Sequence, residues 1–417
     1  MVYKDYKMKG YTLHTIKTDK FKIVHVEVIF RNNVIKEDIA KRNMLFDYLA
    51  ECNLKYPTKR ELNLELEDLY SASIYNVTSR IGNAIVSNFC MDFINPKLAL
   101  DDNLTTKAFE LLFEMIFNPL VHNDEFDNKI FEFVYNRLKN EMLMIGENPK
   151  KKAILRAMDS LKENPASWNS LGSLEDLEKV TPENLFKYYK EVLNHDYVDI
   201  YVVGDLDMDE VNNTVSKLAK FNVIKNHKVE MYVPNFVGKF VTFSDKNKSA
   251  QSNIVVILNL KNLTSYEKKY GANMYNLILG GGSLDTKLYQ KLRVQNSLCY
   301  NVMSMYQKYD NLIYITTSVD VNASKKAVTL IKEAVKEMIS NISEEELNIG
   351  KALVKSSITM YRDNIGRIVD NSFYQDVSDV DPYDVRLETF NNMKVTDVTS
   401  VAKKAYIQTI YVLEGGK

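Results

Sequence analysis

The stretch Leu279-Gly-Gly-Gly-Ser283-Leu-Asp-Thr-Lys-Leu-Tyr-Gln-Lys-Leu-Arg293-Val-Gln-Asn-Ser-Leu-Cys-Tyr300-Asn-Val302 is the most informative in the chain. A glycine turn and a serine lead into a helix ending on Leu292-Arg293, and a strand carrying Leu298-Cys299-Tyr300 follows. The glycines make no phosphate cradle, because neither G-x-x-x-x-G-K-[ST] nor G-x-G-x-x-G occurs. Outward from this stretch, strand and helix patterns alternate. Val24, Val26, Val28 and Phe30 sit at period two in Lys22–Phe30; 198–203, 254–258, 312–319 and 407–413 are rich in β-branched and aromatic residues, and all five predict strands. Thr105–Phe117 has apolar residues at helical spacing and stops at Asn118-Pro119, and a second helix is expected over Phe126–Ile145. Thr181-Pro182-Glu183 opens a helix through Leu193 with a hydroxyl cap, a first-position proline and a first-turn carboxylate. Ser343-Glu-Glu-Glu346 is a capping box opening a helix towards Met360. The class is α+β, with a mixed, largely antiparallel sheet and helices on one side.

A weak internal repeat supports two related halves. Val180-Thr181 opens a helix leading into Asp199-Ile-Tyr-Val-Val-Gly-Asp205; about half a chain later, Val395-Thr396 opens one leading into Thr409-Ile-Tyr-Val-Leu-Glu-Gly415. The expected halves are 1–224 and 240–417, joined by a linker at 225–239 that carries Pro234.

Composition narrows the function. The 417 residues hold 54 Lys and Arg against 55 Asp and Glu, a net charge of −1, which is not the basic footprint of a nucleic-acid binder. No run is apolar and long enough to span a bilayer, and Met1–Gly10 has no apolar core of an export signal, so neither membrane nor export is expected. Three scattered cysteines, Cys52, Cys90 and Cys299, fit a reducing compartment, with the cytoplasm as default. The five histidines show no i,i+3 or i,i+4 pairing, and H-E-x-x-H and H-x-x-E-H are both absent. A hydrolase using Cys299 beside Tyr300 is a minor alternative, since lone cysteines are more often small buried hydrophobes.

The opening stretch resembles the second half of the pitrilysin family, which includes insulinase and mitochondrial processing peptidase. In that family an arginine and a tyrosine seven positions apart contact the backbone of the substrate peptide; Arg293 and Tyr300 match them. A guanidinium fork and a phenol offer directional donors to carbonyl oxygens without demanding a particular side chain. The resemblance spans nearly the whole chain. Tyr56-Pro57-Thr58, Leu111–Pro119 and Val202-Val203-Gly204-Asp205 are similar to its Y-P-[ST] turn, its L-L-x-x-I-x-x-P helix and the strand closing its first half. Counting back from Tyr56-Pro57 places the family's H-x-x-E-H on Asn43-Met-Leu-Phe46-Asp47. Asn43 and Asp47 stand for the two histidines and Phe46 for the general base. Glu141 matches the third ligand if an insertion near Phe93–Asn103 is assumed.

An amide and two carboxylates are poor substitutes for two imidazoles around Zn²⁺, and a phenyl ring cannot take a proton from water. The resemblance therefore implies a zinc-less member: no catalytic residue, no metal, no cofactor, and two clamshell halves. It implies a subunit that binds extended peptide through Arg293 and Tyr300 beside a zinc-bearing paralogue, as a heterodimer in a bacterial cytoplasm. The alternative is a self-associating, homodimeric peptide-binding or scaffold protein with no peptidase partner.

Overall fold

A computed structural model describes every residue except Leu100, Asp102, Lys225, Asn226, Asn235, Phe236, Val237 and Lys417. The 225–239 segment expected as a linker thus lies partly outside the described residues. The strands of the first part of the chain are β1 (Val2–Lys7), β2 (Thr12–Lys17), β3 (Ile23–Asn33), β4 (Ser73–Ile81), β5 (Ala84–Ile94), the short β6 (Val121–His122) and β7 (Glu125–Phe126), and β8 (Tyr197–Gly204). Those of the second are β9 (Val241–Asn247), β10 (Gln251–Leu260), β11 (Cys299–Gln307), β12 (Leu312–Asp320) and β13 (Ala405–Gly415). All five expected strands form, each slightly longer than its apolar run.

The fold is α+β, with two sheets of mostly antiparallel strands. One is six-stranded in the order β1-β2-β8-β3-β5-β4, the other five-stranded in the order β11-β12-β10-β13-β9. Setting β1 aside and numbering the strands of each sheet by chain order, both run 1-5-2-4-3. In both, the first strand is parallel to the fifth, Thr12 facing Asp199 in one and Val241 facing Thr409 in the other, and all other neighbours are antiparallel. Two sheets sharing this order and one parallel pair in the same place are the structural counterpart of the weak sequence repeat.

The chain forms two compact units that are not simple halves of the sequence. Unit 1 comprises 1–142, 170–230 and 365–370; unit 2 comprises 143–169, 231–364 and 371–417.

In unit 1, Val24, Val26, Val28 and Phe30 of β3 share a core with Phe89, Met91 and Phe93 of β5 and Val198, Ile200 and Val202 of β8. The helices Ile39–Leu49, Leu104–Phe117 and Pro182–His195 close it; the last two do so with an apolar stripe at helical spacing, whereas Ile39–Leu49 is buried on nearly all sides. Strand alternation sends His25, Glu27, Cys90 and Tyr201 to the opposite face, where all four are buried as well. Register aligns His14, Tyr201, Glu27, Cys90 and Tyr75 across five strands. His14 stacks on Tyr201 at 4.3 Å.

In unit 2, the helices Ala272–Leu279, Ser324–Glu337, Glu344–Tyr361 and Val395–Ala402 cover one sheet face. Ser343 and Glu346 form the expected capping box. The other face is apolar too: Val255, Ile257, Leu312, Tyr411 and Leu413 pack on Ala153, Ala157, Met158 and Leu161. That cover is the helix Pro149–Met158 and the turn after it.

Candidate functional site

The positions matching the zinc motif lie on the helix Ile39–Leu49 of unit 1. Asn43 is buried, and its amide nitrogen donates to the carbonyl oxygens of Ile39 and Ser170, both at 2.9 Å. Phe46 is fully buried, edge-on to Phe30 at 5.2 Å, with the Arg42 guanidinium 5.4 Å from its ring. Asp47 accepts from Asn76 at 3.2 Å and lies 3.2 Å from the guanidinium of Arg137, which also pairs with Glu51. Glu141 is exposed on the helix Asn128–Glu147, one turn beyond Arg137.

These residues do not fit a metal. Asn43 offers only a neutral amide oxygen in place of an imidazole, Phe46 offers no donor atom, and the Asp47 carboxylate is paired with the Arg137 guanidinium. Among the described residues, no three His, Cys, Asp or Glu side chains are grouped so as to hold an ion. Arg137, which pairs with Asp47, is a neighbour that the sequence pattern did not single out. Its signal was present, an arginine four residues before Glu141 and so on the same helical face.

Arg293 and Tyr300 do come together. The helix between them differs from expectation: Lys287–Tyr289 is α-helical, but Gln290–Val294 is a π-helix, with the Gln295 N–H donating to the Gln290 carbonyl at 2.9 Å. Ser297 then takes a left-handed conformation (φ 51°); its N–H donates to the Arg293 carbonyl and that of Leu298 to the Leu292 carbonyl, so the chain doubles back. Next, β11 advances three residues, Cys299 to Val302, while β12 advances two, Val319 to Thr317. This bulge leaves Tyr300 out of the regular alternation and 80% exposed. The Arg293 guanidinium lies 5.0 Å from its ring centroid, within cation–π range.

The glycine turn before this helix is fixed sterically. A Cβ on Gly281 would fall 2.5 Å from the Asn276 side-chain nitrogen and 2.9 Å from its carbonyl oxygen, while Gly282 needs φ +98°. Cys299 is buried, and burial pushes its thiol up, the opposite of what an attacking thiolate needs.

A second polar cluster, not anticipated from the sequence, lies on the buried far face of the unit 1 sheet. His25 Nδ1 is 2.6 Å from Asp92 and Nε2 is 3.2 Å from Glu27. Burial opposes the imidazolium, but the two carboxylates outweigh it and hold His25 at about 9.

Comparison with known proteins bears out the resemblance. The family model described as the Peptidase M16 inactive domain matches residues 179–354. Over 420 aligned residues the chain is 25% identical to a Bacillus subtilis protein named probable inactive metalloprotease YmfF, covering 98% of this chain and 97% of that protein. The crystal structure of a conserved protein from Enterococcus faecalis matches with a TM-score of 0.91 at 25% identity, over 99% of both chains. That of an M16 inactive domain from Pseudomonas fluorescens matches with a TM-score of 0.80 at 16% identity, over 100% of this chain and 99% of that one. By these matches the chain is similar to M16 peptidase-like proteins. The matching model and the Bacillus subtilis relative are both described as inactive, and this chain has no H-x-x-E-H. No helix among the described residues is long and apolar enough to cross a membrane.

Proposed function

We propose that this chain is a non-catalytic M16-like subunit that binds extended peptide through Arg293 and Tyr300 and acts beside a zinc-bearing paralogue. The observation that carries this reading is the Arg293–Tyr300 pair: a half-buried guanidinium at the end of the π-helix lies 5.0 Å from the ring centroid of an exposed tyrosine on a bulged edge strand. A planar donor fork beside a hydroxyl suits main-chain carbonyls of any sequence. Cys52, Cys90 and Cys299 are all free buried thiols, which supports placing the protein in a reducing cytoplasm.

The test is fluorescence anisotropy of a labelled unstructured peptide against the wild type, Arg293→Ala and Tyr300→Phe. Each substitution is expected to weaken binding by about 1–3 kcal/mol, the cost of an unmade charge-assisted or buried hydrogen bond. Unchanged affinity in both variants refutes the peptide cradle. Mixing with a sister subunit that carries H-x-x-E-H should produce cleavage that neither chain performs alone. Binding without cleavage in any such mixture turns the conclusion to the scaffold alternative.

A further inference from the structure

A cavity of about 370 Å³ in unit 1 is lined by the end of β3, the start of the helix Ile39–Leu49 and the last two turns of the helix Pro182–His195. Ile35, Ile85 and Val192 give it an apolar wall, and four charged side chains line it too: Asp38, Arg42, Glu191 and Asp196. Two of these are buried, Arg42 at 1% exposure and Asp196 at 2%. The Arg42 guanidinium donates from Nε to Ser87 at 2.8 Å and from Nη2 to the Phe30 carbonyl at 3.1 Å, and Nη2 lies 2.5 Å from Asp196 Oδ2. Asp196 Oδ1 accepts from Asn32 at 3.0 Å.

Among the described residues, Asn32 and Arg42 are the only donors to a carboxylate whose two oxygens can accept about four hydrogen bonds. Asp196 also caps the C-terminal end of a 14-residue helix, the negative end of the helix dipole, where a carboxylate is disfavoured and a cation favoured. Charge points the same way. Asp38 pairs with Lys41 at 3.0 Å, whereas Glu191 is exposed and has no ion pair among the described residues. With histidine uncharged, Asp38, Glu191 and Asp196 against Lys41 and Arg42 leave one negative charge over.

We propose that this cavity binds a primary alkylammonium, its N–H groups donating to Asp196 in the field of Glu191 and the helix end, its chain lying on Ile35, Ile85 and Val192. One unit of excess charge matches a monocation, and the volume is that of a small-ligand pocket. A free amine and the side chain of a lysine in a peptide share this chemistry. The site lies in unit 1 and Arg293 and Tyr300 in unit 2, so it does not rest on their reading.

The test uses the full chain, deuterated and carrying ¹³C-labelled isoleucine methyl groups, and NMR at constant ionic strength. Ile35→Val and Ile85→Val assign the two signals that line the cavity. n-Butylammonium should shift both saturably while Ile254, in the core of unit 2, stays still. Nα-acetyl-lysine methylamide should do the same, whereas Nα-acetyl-norleucine methylamide, which lacks the charge, should not. A tighter response to the lysine derivative than to butylammonium assigns the peptide source, and an equal or weaker one the free amine. Butyltrimethylammonium keeps the charge but has no N–H, and should bind at least tenfold more weakly. Asp196→Asn should weaken the butylammonium response at least tenfold. Should loss of the Arg42 counter-ion misfold that variant, the double variant Asp38→Asn, Glu191→Gln spares the buried pair and should weaken the response at least threefold. No saturable shift in the wild type, equal binding of the norleucine or trimethyl compound, or an undiminished shift in a folded variant overturns the proposal.

Discussion

The two sheets are built to one plan, yet the segments that follow their second strands have gone opposite ways. On the helix Ile39–Leu49 that follows β3, Phe46 fills the core, Asn43 bonds to backbone, and Asp47 is held by Arg137. After β10, the glycine turn and the helix beyond it leave Tyr300 exposed and Arg293 half-buried beside it. One region is packed into the core, while the other carries a tyrosine at the surface beside a half-buried guanidinium.

The strongest way to break the comparison is to cut the chain between the halves of its sequence. Residues 231–417 expressed alone lack Ala153, Ala157, Met158 and Leu161, leaving Val255, Ile257, Leu312, Tyr411 and Leu413 uncovered. This fragment should aggregate or bind a hydrophobic dye, and a peptide spanning 143–169 should reverse that. A monomeric, cooperatively unfolding fragment contradicts the packing described. Next comes Phe46→Glu, which places a carboxylate in a fully enclosed core and should cost about 4 kcal/mol or more in urea unfolding. A loss below about 1 kcal/mol means that the motif helix is not core. Phe46→Glu is also expected to create no general base, since position 46 is closed to water.

Ionisation separates the two units at opposite ends of the pH scale. In unit 1, His25 is raised from 6.5 to about 9, so its contribution is complete below pH 6.5 and lost as pH climbs through 9. The expected loss is on the order of 2–3 kcal/mol, and it should vanish in His25→Gln. In unit 2, burial opposes ionisation of Glu267, but hydrogen bonds from Lys404 and Ser400 win and lower it from 4.5 to about 2. Its contribution is present above pH 4.5 and lost as pH falls through 2. Lys404→Met should flatten that acid limb and leave the alkaline one alone; unfolding midpoints measured across pH in both variants check the assignment. The smallest effect is expected at Tyr300. Its removal as Tyr300→Ala should change stability by no more than about 0.5 kcal/mol, in contrast to Phe46.

Much of this was legible in residue order. Period-two valines in β3 and the cap residues Thr181 and Ser343 act over a few neighbours, so local pattern placed them well. The Arg293–Tyr300 pair was legible because a helix end and the next strand bring residues seven apart together. The π-helical turn and the bulge that aim Tyr300 outward were not, since each depends on one residue of excess relative to a partner strand or an earlier turn. The contacts of Arg137 were not legible for a related reason: its partners Asp47, on the helix Ile39–Leu49, and Glu51, in the turn after it, are far away in sequence.

The sequence by itself determined the α+β class, the two-fold repetition of one sheet plan and the absence of ligands suited to zinc. These follow from side-chain chemistry and from periodicities that act within single elements. Only the tertiary structure decided what surrounds Asn43, Phe46 and Asp47, that 149–158 covers a sheet built from residues beyond 240, and that His25 lies against Asp92 of another strand. Such matters depend on which surfaces meet when distant stretches pack, and burial, unlike periodicity, is a property of the neighbours rather than of the residue.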